Sequence, residues 1–139
     1  MMWKDKYKIG VESIDQQHEE LFRRVSDFNH TIRNEENWEA KLDKVKETML
    51  FMKDYVIVHF NDEEVYQQQI DYPEIEEHKF AHAKFKEGID DYVKIFEKEG
   101  FNEDKIQEFG GRLMAWLIMH VGNMDQKIGE YVRNKGGQA

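Results

Sequence analysis

Seven side chains in this sequence could bind metal ions, because they interrupt otherwise apolar helical patterns at positions expected to be buried. Five are imidazoles and two are carboxylates: His18, His59, Glu63, His78, His82, His120 and Asp125. Groups of these types lie at the surface unless something binds them. Burying seven of them without partners would cost on the order of 10 kcal/mol, which rivals the roughly 5–15 kcal/mol net stability of a whole domain. The pattern therefore predicts a metal site.

The spacing of these residues indicates which of them share a helical face. His59 and Glu63 are four residues apart, and two histidines later in the chain repeat that interval, so each pair projects from one side of a helix. His120 and Asp125 are five apart, which is roughly 140° around an α-helix and gives weaker support. The sixth histidine, His30, falls between the apolar positions of its helix. We therefore predict that His30 is a solvated surface residue and not a ligand.

The number and type of donors restrict the choice of metal. A single structural zinc needs only four ligands, so seven donors indicate more than one ion. Imidazole with carboxylate suits iron, zinc, copper or manganese. Suppose that both carboxylates bridge two ions and that the ions also share an oxide or hydroxide. The number of metal–ligand bonds is then one fewer than two six-coordinate ions require, and the open position could take a small ligand. The sequence contains neither the Glu-x-x-His of carboxylate-rich di-iron bundles nor the His-Glu-x-x-His of zinc proteases.

Composition excludes several other classes of protein. A chain of 139 residues with 40% hydrophobic residues is suited to one globular domain. The net charge of -9 disfavours nucleic acid and anionic membranes as partners. The absence of cysteine rules out disulfides, iron–sulfur clusters and thiolate-bound haem. The longest apolar run, Leu113–Met119, is too short to cross a bilayer, and the N-terminus lacks an apolar signal core. We therefore expect a cytoplasmic location and no membrane partner.

Four amphipathic stretches position the seven residues. Apolar side chains recur at intervals of three and four from Ile14 to Ile32, from Leu42 to Ile70, from Ile75 to Phe96 and from Ile106 to Tyr131. Predicted boundary signals are a capping box at Ser13 and Gln16, a turn at Pro73, a C-terminal cap at Gly100 and an N-terminal cap at Asn102. Short connections predict an all-α fold, an antiparallel up-down-up-down four-helix bundle. We expect one domain over residues 1–139, with an N-terminal arm (1–12), a bundle (about 13–134) and a frayed tail (135–139).

Several motifs in this framework resemble those of the hemerythrin family, in particular the single-domain bacteriohemerythrins, over essentially the whole chain. They are the arm Trp3…Tyr7…Gly10-Val11, then Ile14-Asp15-Gln16-Gln17-His18, His59-Phe60-x-x-Glu63-Glu64, Pro73 with His78-x-x-x-His82-x-x-Phe85, and Trp116-Leu117-x-x-His120 with Asp125. Val11 and Val121 stand where the family usually has isoleucine, and Gly122 follows.

The resemblance implies a non-haem di-iron site with two iron ions, Fe2+ in the deoxy form, joined by a bridging oxo or hydroxo group. It implies that His78, His82 and His120 hold one iron and that His18 and His59 hold the other. Glu63 and Asp125 would bridge the pair, and O2 would bind reversibly at the second iron. By the same resemblance the apolar neighbours of bound O2 are Phe60, Trp116, Leu117 and Val121.

The function implied is reversible O2 binding for carriage, storage or delivery, without catalytic turnover. O2 is the expected partner, with an O2-consuming enzyme as a candidate recipient, and we expect a monomer. Two alternatives stay open at this point: a di-iron peroxidase or oxidase, and a sensor of O2 or redox state. The sensor is disfavoured because the sequence has no second domain or long linker. Reversible deoxygenation under vacuum would distinguish a carrier from an enzyme.

Overall fold

Helices form where the apolar residues recur at intervals of three and four. The structure, a computed structural model, describes residues 3–136, which contain helices and turns and no β-strand. A 3-10 turn, Asp5–Tyr7, precedes the helices. These are α1 (Glu12–Asn34), α2 (Trp38–Gln69), α3 (Ile75–Glu99), α4 (Glu103–Met119) and α5 (Gln126–Gly136). A π-helical turn, His120–Met124, joins α4 to α5 in one continuous helical stretch.

The helices pack as the predicted antiparallel four-helix bundle, with α4, the π turn and α5 together forming the fourth element. Helix α1 packs against both α2 and α4, and α2 packs against α3. The connections between successive elements are only a few residues long, which places neighbours antiparallel. Among the residues described, no helix is both long and apolar enough to span a membrane.

Local chemistry explains three of the helix ends. Asn37 accepts a hydrogen bond from the Ala40 amide at 2.9 Å, which caps α2. The predicted caps on either side of the loop between α3 and α4 are confirmed. Asn102 accepts a hydrogen bond from the Lys105 amide at 3.1 Å, and Gly100 ends α3 with a positive φ of 79°. A residue with a Cβ rarely adopts that backbone conformation.

The predicted start of α1 was wrong. The helix begins at Glu12, and no side chain caps it, so the predicted capping box at Ser13 does not form. Instead Asp15, inside the first turn, accepts hydrogen bonds from the amides of Ile9 at 2.8 Å and Gly10 at 3.2 Å. These two hydrogen bonds hold the preceding chain in place. The position also suits a carboxylate, because a negative charge is favourable at a helix N-terminus.

The other end of the chain also differs from the prediction. Helix α5 continues to Gly136, so residues 135 and 136 are helical and not frayed. The Lys135 ammonium donates to the Ile70 carbonyl at 3.2 Å, which ties this last turn to the end of α2. The rest of the predicted tail, residues 137–139, lies outside the described residues.

Two halves of the core follow from the antiparallel packing. The apolar half is built from side chains that include Phe28, Val45, Phe96, Ile106 and Phe109, whose aromatic rings meet edge-on, as for Phe28 and Phe109 at 5.7 Å. The polar half lies at the opposite end of each helix and contains the seven predicted donors. Because alternate helices run in opposite directions, the donors of all four elements meet at one end of the bundle.

Candidate metal centre

The structure brings all seven predicted donors together and buries every one of them. Their nitrogen and oxygen atoms form three overlapping groups, in each of which the atoms lie within 4.8 Å of one another. Glu63 belongs to all three groups and is fully buried. The groups are His18, His59 and Glu63; Glu63, His78 and His82; and Glu63, His120 and Asp125.

Regular helix geometry positions the donors on α2 and α3. His59 and Glu63 lie one turn apart on α2, and His78 and His82 lie one turn apart at the start of α3. Side chains at this interval leave the same face of a helix. The apolar positions that precede and follow them turn the same face toward the core.

The π turn positions the donors of the fourth element. In this turn the Asp125 amide donates to the His120 carbonyl at 2.8 Å, a bond between residues five apart. The wider turn places Asp125 above His120 on one face, where an α-helix would have separated them by roughly 140°. The sequence reasoning missed this turn, although the five-residue interval was its visible signal.

Glu63 lies between two groups of histidines. Its Oε2 is 3.1 Å from Nε2 of His18 and 3.5 Å from Nε2 of His59; these two residues form the smaller histidine group. Its Oε1 faces the larger histidine group, which comprises His82 (Nε2 at 3.1 Å), His78 (Nδ1 at 3.6 Å) and His120 (Nε2 at 3.8 Å).

Asp125 is divided between the same two groups. Its Oδ2 lies 3.1 Å from Nε2 of His18. Its Oδ1 lies 3.1 Å from Nε2 of His120 and 3.8 Å from Nδ1 of His78. Each of the two carboxylates therefore presents one oxygen to the smaller histidine group and the other oxygen to the larger one.

Several of the donor atoms converge without hydrogen bonds to one another, which is the behaviour expected of metal ligands. Nε2 of His120 and both oxygens of Asp125 have no hydrogen bond although they are close together, and Nε2 of His59 and of His78 also lack partners. Unpartnered polar atoms in a protein interior are costly. A cation at the centre of the group would satisfy them, and imidazole with carboxylate is a donor set that suits iron. The residues therefore fit a metal centre.

The carboxylates shift the pKa values of the surrounding imidazoles. Burial lowers the pKa of His18, but contacts with Asp125 and Glu63 outweigh it and raise the pKa to about 9. Burial acts in the same way on His120, where Asp125 and Glu63 raise the pKa to about 10. Burial and the neighbouring His18 lower the pKa of His59 to about 3.

The carboxylates themselves remain ionised. Burial raises the pKa of Glu63, but its contacts with four histidines, His120 first, hold it well below the usual value. Burial and the charge of Glu63 raise the pKa of Asp125, but His120 and His18 outweigh them and lower it. Each carboxylate therefore brings a negative charge into the centre, and protons on His18 and His120 balance these charges until a cation replaces them.

A second set of side chains holds the outer nitrogens of the histidines. Nδ1 of His82 lies 2.8 Å from Glu64 Oε2, and Nδ1 of His59 lies 2.7 Å from Gln17 Oε1. Gln17 in turn donates to Asp62 at 2.8 Å. The sequence reasoning assigned no role to Glu64, Gln17 or Asp62. Gln17 and Glu64 stood within the family-like motifs, next to His18 and Glu63, and Asp62 also adjoins Glu63.

Two of the four residues predicted to line an O2 pocket, Phe60 and Trp116, stack on donor histidines. Phe60 stacks on His82 with ring centroids 3.8 Å apart, and Trp116 stacks on His120 at 4.6 Å. Phe60, Leu117 and Val121 are fully buried. The rings of Phe60 and Trp116 therefore cover the larger histidine group most closely.

The control histidine lies at the surface, as predicted. His30 is exposed, and its Nδ1 lies 3.2 Å from the Asn34 side-chain amide. It contacts none of the seven donors.

Comparison with known proteins places this arrangement in a family. The model of the hemerythrin HHE cation binding domain matches residues 9–132, a range that includes all seven donors. The chain belongs to the hemerythrin family. Hemerythrins bind O2 at a non-haem iron centre, and the oxygen binding, iron and four-helix bundle predicted from the sequence are thereby confirmed.

Individual relatives cover nearly the whole chain. A bacteriohemerythrin of Clostridium acetobutylicum is 27% identical over 91% of this chain and 96% of its own length. One from Stenotrophomonas maltophilia is 27% identical over 96% of this chain and 82% of its own. A myohemerythrin of Theromyzon tessulatum is 25% identical over 90% of this chain and 88% of its own.

Proposed function

We propose that this hemerythrin binds O2 reversibly at a pair of iron ions bridged by Glu63 and Asp125. The observation that carries the proposal is the division of the two carboxylates, each with one oxygen toward the smaller and one toward the larger histidine group. A single ion would use one oxygen of each carboxylate and leave the other buried without a partner. Two ions use all four oxygens.

In this proposal the two histidine groups have different roles. His78, His82 and His120 would hold one iron, and His18 with His59 would hold the other, which therefore has one fewer protein ligand. When bound, the iron pair supplies the electrons for reversible O2 binding. The position with fewer protein ligands is the one open to O2. Carriage, storage or delivery of O2 follows if the protein releases O2 unchanged.

The apolar side chains around the centre exclude water from it. Leu117, which precedes the π turn, and Val121, which directly follows His120 within it, are both fully buried. Control of solvent access sets the reactivity of a bound metal. We infer that Leu117 and Val121 would protect O2 binding by excluding water, the source of protons, from the centre.

The first experiment is to measure metal content and absorption of the purified protein through cycles of air and vacuum. We expect two irons per chain and an absorption band that appears in air and disappears under vacuum through repeated cycles. One metal ion per chain would contradict the bridged pair. Steady O2 consumption in the presence of a reductant or peroxide would contradict reversible carriage and favour a di-iron oxidase or peroxidase.

A second experiment tests the apolar wall with two leucines of the same helix. Leu117 lies three residues before His120, and Leu113 lies one turn earlier; both are almost fully buried. We expect Leu117→Ala to keep its iron but to shorten the lifetime of the O2 complex about tenfold, which corresponds to about 1.4 kcal/mol of barrier.

The matched control is Leu113→Ala. It should lower the free energy of unfolding by a similar amount, about 2–5 kcal/mol, without changing the decay of the O2 complex. Equal decay in the Leu117→Ala protein with intact iron would mean that Leu117 does not protect the centre.

A further inference from the structure

His82 differs from the other donor histidines in the partner of its outer nitrogen. Its Nδ1 is bound by a carboxylate, that of Glu64, at 2.8 Å. The outer nitrogen of His59 is bound by the neutral amide of Gln17 at 2.7 Å, and that of His18 has no hydrogen-bond partner. Among the described hydrogen bonds of the donor histidines, only the one at His82 joins an outer nitrogen to a carboxylate, and His82 belongs to the larger histidine group.

The orientation of the His82 ring is fixed on two sides. Its Nε2 points to Glu63 Oε1 at 3.1 Å while Nδ1 points away, to Glu64. Phe60 stacks on the face of the ring, with centroids 3.8 Å apart and planes within 5°. The ring therefore presents Nε2 to the centre without needing to reorient.

Two adjacent residues of α2 serve the same imidazole from opposite ends. Successive helical side chains diverge by roughly 100°, so Glu63 enters the core while Glu64 runs along the rim toward α3. The Glu64 side chain is 25% exposed, so part of its charge remains hydrated and its burial costs little. The same helical turn thus supplies a carboxylate inside the centre and a second one behind a ligand.

A carboxylate behind an imidazole strengthens the imidazole as a metal ligand. The negative charge polarises the N–H bond and increases electron density on the opposite nitrogen, and such partners contribute about 10–100-fold to metal affinity. A neutral amide fixes the orientation of the ring but lacks the charge. The two histidine groups therefore differ in donor strength as well as in number of ligands.

We propose that Glu64 makes the larger histidine group the position that binds metal first and releases it last. The inference rests on the proposed two-ion centre and adds an order of filling to it. In this role Glu64 is a positioning residue, since it acts on the metal only through His82.

The order of filling can be measured by titrating metal-free protein with Co2+ alone, following its ligand-field absorption. We expect two steps in the parent protein, the first tighter than the second. Glu64→Gln preserves an acceptor for Nδ1 but removes the charge, so it should weaken the first step about 10–100-fold and leave the second step unchanged. The same substitution should accelerate loss of the last ion to a chelator by a similar factor.

Asp62 provides the matched control. It is also an acidic side chain of α2, exposed and one hydrogen bond further from its histidine, through Gln17. Asp62→Asn should leave the first step unchanged. An unchanged first step in Glu64→Gln, or an equal weakening by Asp62→Asn, would overturn the inference.

A variant that lacks one donor of the smaller histidine group shows which group the first binding step belongs to. His59→Ala removes a donor of the smaller group, so the remaining tight step should report the larger group alone, and Glu64→Gln in this background should weaken it by the same factor. No effect of Glu64→Gln on that step would also overturn the inference. Binding of a single Co2+ by the parent protein would instead contradict the two-ion proposal itself.

Discussion

The two halves of the bundle differ in what fills the space between the helices. In the apolar half, rings such as Phe28, Phe96 and Phe109 pack together, and burial of apolar surface stabilises the fold directly. In the polar half, seven buried donors replace such side chains, and several of their atoms have no partner in the protein. The same four helices therefore have a core that is self-sufficient at one end and dependent on cations at the other.

Removal of the metal should produce the largest difference between the halves. We expect each bound ion to contribute about 4 kcal/mol to the free energy of unfolding when its free concentration is about a thousand times its Kd. Hydrogen exchange should localise the loss: amides near His59 and His82 should lose protection, whereas those near Val45 and Phe96 should keep theirs.

A substitution in the apolar half provides the control for that comparison. Ile106 is fully buried there, and Ile106→Val should cost about 0.5–1.5 kcal/mol equally with and without metal. Uniform loss of protection along all four helices after chelation would contradict the division into two halves.

Proton release should be the next largest effect, and it is confined to the polar half. With pKa values of about 9 and 10, His18 and His120 hold protons at neutral pH in the metal-free protein. Metal ligands must be deprotonated, so loading should release about two protons per chain at pH 7. The combined apparent binding constant for the two ions should therefore fall about a hundredfold for each pH unit of acidification near neutrality.

The free energy of unfolding of the metal-free protein should change with pH in the opposite direction to the metal affinity. Because the folded pKa values of His18 and His120 lie above the ordinary 6.5, their stabilising contribution is complete below about pH 6.5. It is lost as the pH rises through about 9 to 10.

Calorimetry of metal loading in buffers of different ionisation enthalpy measures the released protons, and release of fewer than one would contradict the assignment.

The smallest effect concerns the π turn, where two glycines of the fourth element can be compared. A Cβ added at Gly122 would lie 2.9 Å from the ring of Tyr7, which is itself stacked on Phe22. A Cβ added at Gly111 meets nothing within 4 Å. We expect Gly122→Ala to lower the free energy of unfolding by about 1–3 kcal/mol and Gly111→Ala to raise it by about 0.5–1 kcal/mol.

Thermal unfolding of the two alanine variants against the parent protein measures this pair. Gly122→Ala should also speed metal loss, because the turn holds both His120 and Asp125. Stabilisation by both substitutions would mean that Tyr7 yields easily and does not constrain the turn.

The sequence was sufficient to predict the fold and the convergence of the seven donors for one physical reason. Side chains that face a bundle core recur every three or four residues, so His59 or His82 at such a position is visible without a structure. Residues outside that stripe carry no such signal. Glu64 and Gln17 stand in family-like motifs, but only the packing of neighbouring helices reveals that they contact donor histidines.

Backbone features that depart from the regular helix were also invisible to the pattern. The five-residue interval between His120 and Asp125 was read against an α-helix, and only the π turn reconciles it with a shared face. The start of α1 was misplaced because Ser13 matches a local capping motif, whereas the observed solution uses Asp15 and the arm before it.

The contact between the arm and the π turn has a consequence for how the protein is made. The Gln126 side chain donates to the Tyr7 carbonyl at 2.7 Å, so residues near the two ends of the chain must meet beside the metal centre. During synthesis, which delivers the N-terminal part first, the arm and five of the seven donors emerge before His120 and Asp125. A growing chain therefore has an incomplete set of donors, and its N-terminal arm has not yet met the segment that it packs against. Acquisition of the full metal centre is therefore deferred until the fourth helical element, which carries His120 and Asp125, has been synthesised.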